Sequence, residues 1–474
     1  MLSVSPLLRR AVTGMAIIAA SALTGCESGT APNSSPAGLE LRAAKLKLDK
    51  DEMAAALDAV RAGNEQSILA APSLVPAGAP LAPFIEARLY AIANIAMHDA
   101  LNAVVPKYER YADNGPLVPD ASAATAVLTA AHDAIVGADA GATVAVDLWY
   151  ASAISPFTAD PGYAAGVALG QRAAAAILAL RATDGVYPTG GVGPYTPGTN
   201  PGDYQFTFPF NTPFFDFFGT GGFADASNWG AIVTPFVMTS TSQFRAAPPY
   251  GAASNALAVQ TAKYTRDFNE IKALGCNGCT ARTPEQTEIA LFWVENSPTG
   301  WNRIARTVAE DKKLDAFETA RLFALLQMGE FDAYTASLES KYYYNFWRPV
   351  SAVALAGSDG NPNTSPEAGW EVVAFPTPPV PDYPSAHSTA GGAAAQVIED
   401  AIPGAEKKFS TTSGSLPGVT RSFKNVADAA DENALSRVLV GYHFREATKV
   451  GVKQGRDVGK YVVKNALQAI HGKQ

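Results

Sequence analysis

Charge is scarce in this chain of 474 residues. Only 17% of its side chains are charged, with 36 Lys and Arg against 44 Asp and Glu, a net charge of −8. A surface without basic excess excludes nucleic acid as a partner, because phosphate backbones need clustered cations. Cysteine is nearly absent, at three residues, and histidine stands at five. That excludes a disulfide scaffold and a Cys/His-rich metal protein. Beyond residue 25 no long apolar run is evident, so no membrane-crossing helix is expected there. What the chain does have is 47% apolar residues, 40 glycines and a heavy alanine background. This composition is that of an ordered body of closely packed helices, not of a disordered chain.

The first residues have a different character. Arg9-Arg10 precedes an apolar stretch, 11–23, too short to span a bilayer and of the length of a signal-peptide core. Leu23-Thr24-Gly25-Cys26 closes it. This segment resembles the bacterial lipobox, which implies cleavage before Cys26 and acylation of its thiol, an anchor and not a span. Glu27 in place of Asp suits outer-membrane sorting. The expected organisation is a signal peptide at 1–25, a tether and lead-in helix at 26–78, and one helical domain at 79–474. The expected location is the bacterial cell envelope, lipid-anchored and facing the periplasm or the outer membrane. The remaining cysteines, Cys276 and Cys279, form a C-x-x-C pair. No strand-helix context supports a redox centre, and no second Cys/His pair supports zinc. A small disulfide-closed loop is the favoured reading in an oxidising compartment.

Helical spacing recurs over 39–62, 81–105, 121–137, 140–153 and 162–182, and again over 253–274, 284–295, 299–311, 315–344, 387–402, 424–438 and 445–469. The fold class expected is all-α. Between the two groups, 184–250 is dense in Gly, Pro and aromatics, among them Phe206, Phe208, Phe210, Phe214, Phe215, Phe217 and Phe218. A loop of that length usually covers something functional, so a packed loop or lid, not a flexible linker, is expected.

Three segments of the C-terminal third carry chemistry. In Lys341-Tyr342-Tyr343-Tyr344-Asn345-Phe346-Trp347-Arg348-Pro349, the two cations stand two helical turns apart on one face, and Pro349 ends the helix before Arg348. In Pro384-Ser385-Ala386-His387, the pattern is that of a helix start, whose free N–H groups and positive dipole end attract anions. In Ser436-Arg437…Gly441-Tyr442-His443, Arg437 and His443 lie on different faces of an unbroken helix. A break at Gly441 would let both reach one point.

Together these segments resemble the vanadium haloperoxidase and type 2 phosphatidic acid phosphatase superfamily, with its pattern K-x6-R-P, P-S-G-H and S-R-x5-H-x3-D. Further likeness to the bacterial haloperoxidase branch lies in Phe292-Trp293, Trp301-Asn302-Arg303, Asp332 and Met97-His98-Asp99-Ala100-Leu101-Asn102. The resemblance implies a helical-bundle fold and a vanadate cofactor, with phosphate able to take the same site. It assigns Lys341, Arg348, Ser385, the Ala386 amide and Arg437 to the oxyanion, His443 to vanadium, and His387 to acid-base work on hydrogen peroxide. Halide and hydrogen peroxide are the implied substrates, and Val380 and Leu338 are candidates for tuning the halide. The organic acceptor and any homo-oligomer are left open. An acid phosphatase, in which His443 attacks phosphorus and His387 protonates the leaving oxygen, is the alternative. An anion-binding lipoprotein with a degenerate site is the third reading. His98 and His132, each beside an Asp, are expected to be structural. The chain departs from the family pattern twice: Ala386 replaces the glycine, and Ala447 replaces the final Asp, so His443 needs another orienting partner.

Overall fold

The computed structural model describes residues 47–75, 77, 81–186, 196–210, 229–404 and 408–470. Cys26 and the whole lipobox lie outside them. So do Phe214, Phe215, Phe217 and Phe218 of the expected lid.

The described residues fold into helices α1 (Lys50–Ala70), α2 (Pro83–Val104), α3 (Ala123–Ala138), α4 (Thr143–Ile154), α5 (Tyr163–Arg181), α6 (Trp229–Ile232), α7 (Asn255–Ala258), α8 (Ala262–Leu274), α9 (Pro284–Phe292), α10 (Ser297–Asp311), α11 (Ala316–Tyr344), α12 (Pro349–Leu355), α13 (Ala386–Ala401), α14 (Val426–Leu439) and α15 (Arg445–Asn465). A hairpin of β1 (Phe409–Thr412) and β2 (Thr420–Phe423), paired antiparallel, is the single sheet among them. Most helix starts follow from local chemistry. Asp315 caps α11 and forms a capping box with Glu318, and Thr283 does the same for α9 with Gln286, followed by Pro284.

Four local expectations change. The lead-in helix begins at Lys50, where Asp49 caps it with Glu52. The 253–274 helix is two helices, because Thr261 caps a fresh start at Ala262. The hairpin and α12 were not foreseen; Pro349, read as a stop, also opens α12 at its first position. Finally, α5 is apolar and long enough to cross a bilayer by length and composition alone. Its apolarity is spread over alanines, so it does not read as a hydrophobic run, and it packs along α3 with Leu169, Ala173, Ala174 and Ile177 buried.

The long helix α11 organises the molecule. It is buried almost from end to end and packs on α2 of the N-terminal helix group and on α13 and α15 of the C-terminal one. The most extensive helix pair is α13 against α15. Gly451, Gly455 and Gly459 lie one turn apart on α15, and a Cβ at Gly455 would collide with the Thr389 carbonyl of α13. Only bare backbone permits this approach. It holds the start of α13, with Ser385 to His387, against the start of α15, which follows His443.

Candidate active site

The Lys/Arg segment closes α11 and opens α12. Asn345 adopts a left-handed conformation, φ 55°, as the C-cap of α11, and Arg348 becomes the N-cap of α12. Both cations are thereby turned inward: Lys341 is fully buried and Arg348 is 1% exposed. Lys341 Nζ donates to the carbonyls of Pro381 (2.6 Å) and Asp382 (3.0 Å). Arg348 donates from Nε to the Val380 carbonyl (2.7 Å) and from Nη1 to the Tyr442 carbonyl (2.9 Å).

α14 ends at Leu439, and Gly441 takes φ 91°, a region closed to most L-residues. A Cβ there would also strike the Gly275 carbonyl. The turn lets Arg437 and His443 face one cavity although they are six residues apart. Gly275 immediately precedes the loop that the Cys276–Cys279 disulfide closes, and Arg282 ties this junction down by donating to the carbonyls of Leu274 (2.6 Å) and Cys276 (2.8 Å). The disulfide loop thus abuts the turn that aims His443.

His443 has an orienting partner that the sequence did not disclose. Its Nδ1 stands 2.9 Å from Oδ1 of Asp382, and Arg348 Nη1 lies 2.9 Å from its Nε2. A guanidinium can only donate, so Nε2 accepts from Arg348 and the proton sits on Nδ1, toward Asp382. Asp382 precedes the Pro-Ser-Ala-His segment by one residue, in Pro381-Asp382-Tyr383-Pro384. The carboxylate is therefore supplied from the front of one motif and not from the end of another. Ala447 is buried, and its carbonyl accepts from the Ser385 amide at 2.9 Å. Glu446 faces away and pairs with Lys263 at 2.5 Å.

Ser385 caps α13, its Oγ accepting from Ser388 Oγ at 2.9 Å, and it lies behind the cavity wall; Ala386 and His387 form the wall itself. Arg437 donates to the Trp293 carbonyl (2.6 Å) and to Ser436 Oγ (3.0 Å). The cavity, of about 300 Å³, is lined by Lys341, Arg348, His387, Arg437 and His443 on its polar side. Phe84, Phe210, Leu338, Pro376 and Val380 form an apolar mouth. Phe208 stacks on Phe375 nearby, ring centroids 5.9 Å apart. Of the remaining histidines, His98 pairs with Asp99 in the core at 3.1 Å, and His132 bridges Asp133 and Asp147 near the surface. Asp332 is also remote from the cavity and caps the amides of Phe236, Val237 and Met238.

The electrostatics follow from burying like charges together. Burial, then Arg348, drives Lys341 well below the usual lysine range, with Asp382 opposing. Arg348 is lowered by burial, and Arg437 falls to about 10 for the same reason. Burial pushes the Asp382 carboxyl up to about 7, against the pull of Arg348 and Lys341. Both histidines are held well below their usual range: His443 by burial and then Arg348, Lys341 and Arg437; His387 by burial and then Arg437. Three cations, two neutral imidazoles and one carboxyl around a small cavity form a site complementary to an oxyanion, which would restore the charge balance that burial disturbs. The donor set fits vanadate: three cations for its oxygens and one oriented imidazole lone pair for the metal.

Comparison with known proteins agrees with this geometry. Residues 321–472 match the family model of the VCPO second helical-bundle domain. Vanadium chloroperoxidase of Curvularia inaequalis is 28% identical over 271 residues, 44% of this chain, and the match spans less than half, 43%, of that protein's length. Among solved structures, a bacterial vanadium-dependent iodoperoxidase superposes with a TM-score of 0.72 at 24% identity, over 88% of this chain and 98% of its own. A bacterial vanadium-dependent chloroperoxidase in its apo form gives 0.63 at 17% identity, over 82% and 95%. Its holo form gives 0.62 at 18% identity, over 82% and 93%. Residues 321–472 are thus similar to the VCPO second helical-bundle domain, and the chain as a whole has the helical fold of these solved structures.

Proposed function

We propose that this chain is a vanadate-dependent haloperoxidase that oxidises halide with hydrogen peroxide. The observation that carries the reading is the His443 imidazole, held by Asp382 at Nδ1 and by Arg348 at Nε2, in a cavity lined by Lys341, Arg348 and Arg437. Bound vanadate supplies the activation of peroxide toward a halide nucleophile.

The chain's own residues do the rest. Lys341, Arg348 and Arg437, all buried, hold the oxyanion and offset its charge away from most of the solvent, where such contacts are strongest. The Ala386 amide, in the first turn of α13, adds a donor at a helix N-terminus. His387 is neutral at rest, so it can take a proton from incoming peroxide and return it to the departing oxygen. Phe84, Phe210, Leu338 and Val380 present an apolar mouth to the halide, with Leu338 and Val380 placed to tune its choice.

A phosphatase reading uses the same groups, since an oriented Nε2 is also a nucleophile. A paired assay on the purified chain separates them: halide oxidation with peroxide and added vanadate, against aryl phosphate hydrolysis without vanadate. Halide oxidation with little hydrolysis supports the haloperoxidase; hydrolysis alone overturns it, and vanadate binding with neither activity leaves an anion-binding protein. For location, we propose a lipid anchor at Cys26 that tethers the domain to the cell envelope. Cys26→Ser should release the protein from membranes, and undiminished membrane association would refute the anchor.

A further inference from the structure

One stripe of α11 is polar although the helix is buried. Gln327, Glu330, Tyr334, Ser337 and Lys341 recur at spacings of three and four, so they share a face, and all five are buried. Lys341 and Tyr334 line the anion cavity. The Gln327 amide, both Glu330 carboxyl oxygens and the Ser337 hydroxyl have no hydrogen-bond partner among the described residues. Nor have the side-chain amides of Asn302 on α10 and Asn433 on α14, or the Trp301 Nε1. Trp301 Nε1 and Asn433 Oδ1 both come close to Gly391, 3.2 and 3.0 Å from where a Cβ would stand. A buried polar group left unsatisfied is costly. Protein interiors meet such a cost with internal water where polar groups cluster.

The stripe has a second connection. Glu86 of α2, 2% exposed, accepts from Tyr90 (2.8 Å), Asn296 (2.7 Å) and Thr299. Asn296 lines the anion cavity. Thr299 lines a separate, solvent-open cleft with Glu65, Arg303, Arg306 and Glu310. Glu330 lies close enough to Glu86 to feel its charge, and Tyr334 feels both carboxyls and Arg437 while facing Ser297. Burial raises the Glu86 carboxyl despite its three donors, and raises that of Glu330 well above the usual range. Burial thus favours the protonated form of Glu330.

We propose that this buried stripe, hydrated by internal water, conducts protons from the Thr299 cleft through Glu86 and Glu330 past Tyr334 to the anion cavity. The inference rests on the haloperoxidase reading, whose net reaction is H2O2 + X⁻ + H⁺ → HOX + H2O. The peroxide O–O bond breaks and an O–X bond forms. The halide's two electrons pass to the oxygen that leaves as water, and that oxygen takes up one proton from outside the site in every turnover. Glu330 gives that proton through water beside Tyr334, is refilled from Glu86, and Glu86 is refilled from the cleft through Thr299.

The test uses the full chain with Glu330→Gln and, at the outer end, Thr299→Val. Vanadate affinity by calorimetry should stay within about twofold of wild type. The kcat for halide oxidation should fall roughly tenfold or more, with KM for peroxide little changed and a larger rate ratio between H2O and D2O. Two readouts do not depend on turnover. Infrared difference spectra should show a protonated carboxyl band that Glu330→Gln removes, and a crystal structure should show ordered water between Gln327 and Ser337. A dry stripe, a missing band, or variants matching wild type in kcat and isotope effect overturns the relay. If Glu330→Gln does not fold, Tyr334→Phe, one turn away, takes its place in the kinetic arm. A wild-type chain that oxidises no halide overturns the function and the proton delivery together. Failure of the relay alone is recognised by wild-type turnover that the variants share.

Discussion

Asp382 Oδ1 and His443 Nδ1 lie 2.9 Å apart, although 61 residues separate them in the chain. The contact fixes the imidazole tautomer on which any bond from Nε2 to an oxyanion's central atom depends. It also couples two motifs, because Lys341 holds the backbone carbonyl of the same aspartate. Asp382→Asn should keep the fold and lower vanadate affinity about ten- to a hundredfold, the usual cost of losing a ligand's orienting partner. Calorimetric titration measures it; affinity equal to wild type would mean that the ring is oriented by packing alone.

Arg348→Ala should weaken oxyanion binding by about 2–4 kcal/mol, as expected when one buried partner of a charge-assisted contact is removed. Lys341→Ala should act in the same direction and also loosen the Pro381-Asp382 backbone that Lys341 holds. Titration with vanadate and with phosphate reads both variants. Unchanged affinity for either anion in both would remove the two cations from the site.

The two histidines should separate by experiment. His443→Ala should lose bound vanadium on dialysis and lose halide oxidation with it, since charge alone leaves the anion free to exchange. His387→Ala should retain vanadium and slow turnover by about a hundredfold, the scale for a positioned acid-base group. Vanadium retained by His443→Ala as well as by wild type would overturn the assignment.

The α13–α15 contact leaves no room for a methyl group at Gly455. Gly455→Ala should destabilise the chain by about 1–3 kcal/mol through overpacking. Because the pair also spaces His387 from His443, vanadate affinity should fall with it. Urea denaturation and vanadate titration check the two effects, and an unchanged unfolding midpoint would show that the helices can separate at no cost.

Asp332 supplies a pH prediction. Burial raises its carboxyl to about 6, although three backbone amides and Arg181 pull the other way. Its unfolded value is about 3.9, so the native state binds more protons in between. Its contribution to stability is therefore fully present below about pH 4 and lost as pH rises through about 6, at up to about 1.4 kcal/mol per pH unit. Asp332→Asn should remove that component from the pH dependence of the unfolding free energy. An identical slope over pH 4–6 in both proteins would place the Asp332 titration elsewhere.

Much of this protein is legible in the order of its residues, because the signals are local. Helical periodicity, Asp315 and Thr283 as caps, and the K-x6-R-P spacing each act within a few residues, and the all-helical class follows from them. The hairpin at 409–423 was less legible, since its two four-residue strands form no strong apolar pattern. The meeting of Lys341, Arg348, His387, Arg437 and His443 could be expected only from their likeness to a known pattern. The backbone achieves it through an N-cap at Arg348, a left-handed Asn345 and a positive φ at Gly441. Tertiary structure alone decided the partner of His443. A carboxylate acts over a few ångströms of space, and no spacing rule links position 382 to position 443. The same holds for Glu86 and Glu330, which sit on helices more than two hundred residues apart in sequence. They share one buried environment only because α2 and α11 pack together, and packing is a property of faces that no single stretch of sequence displays.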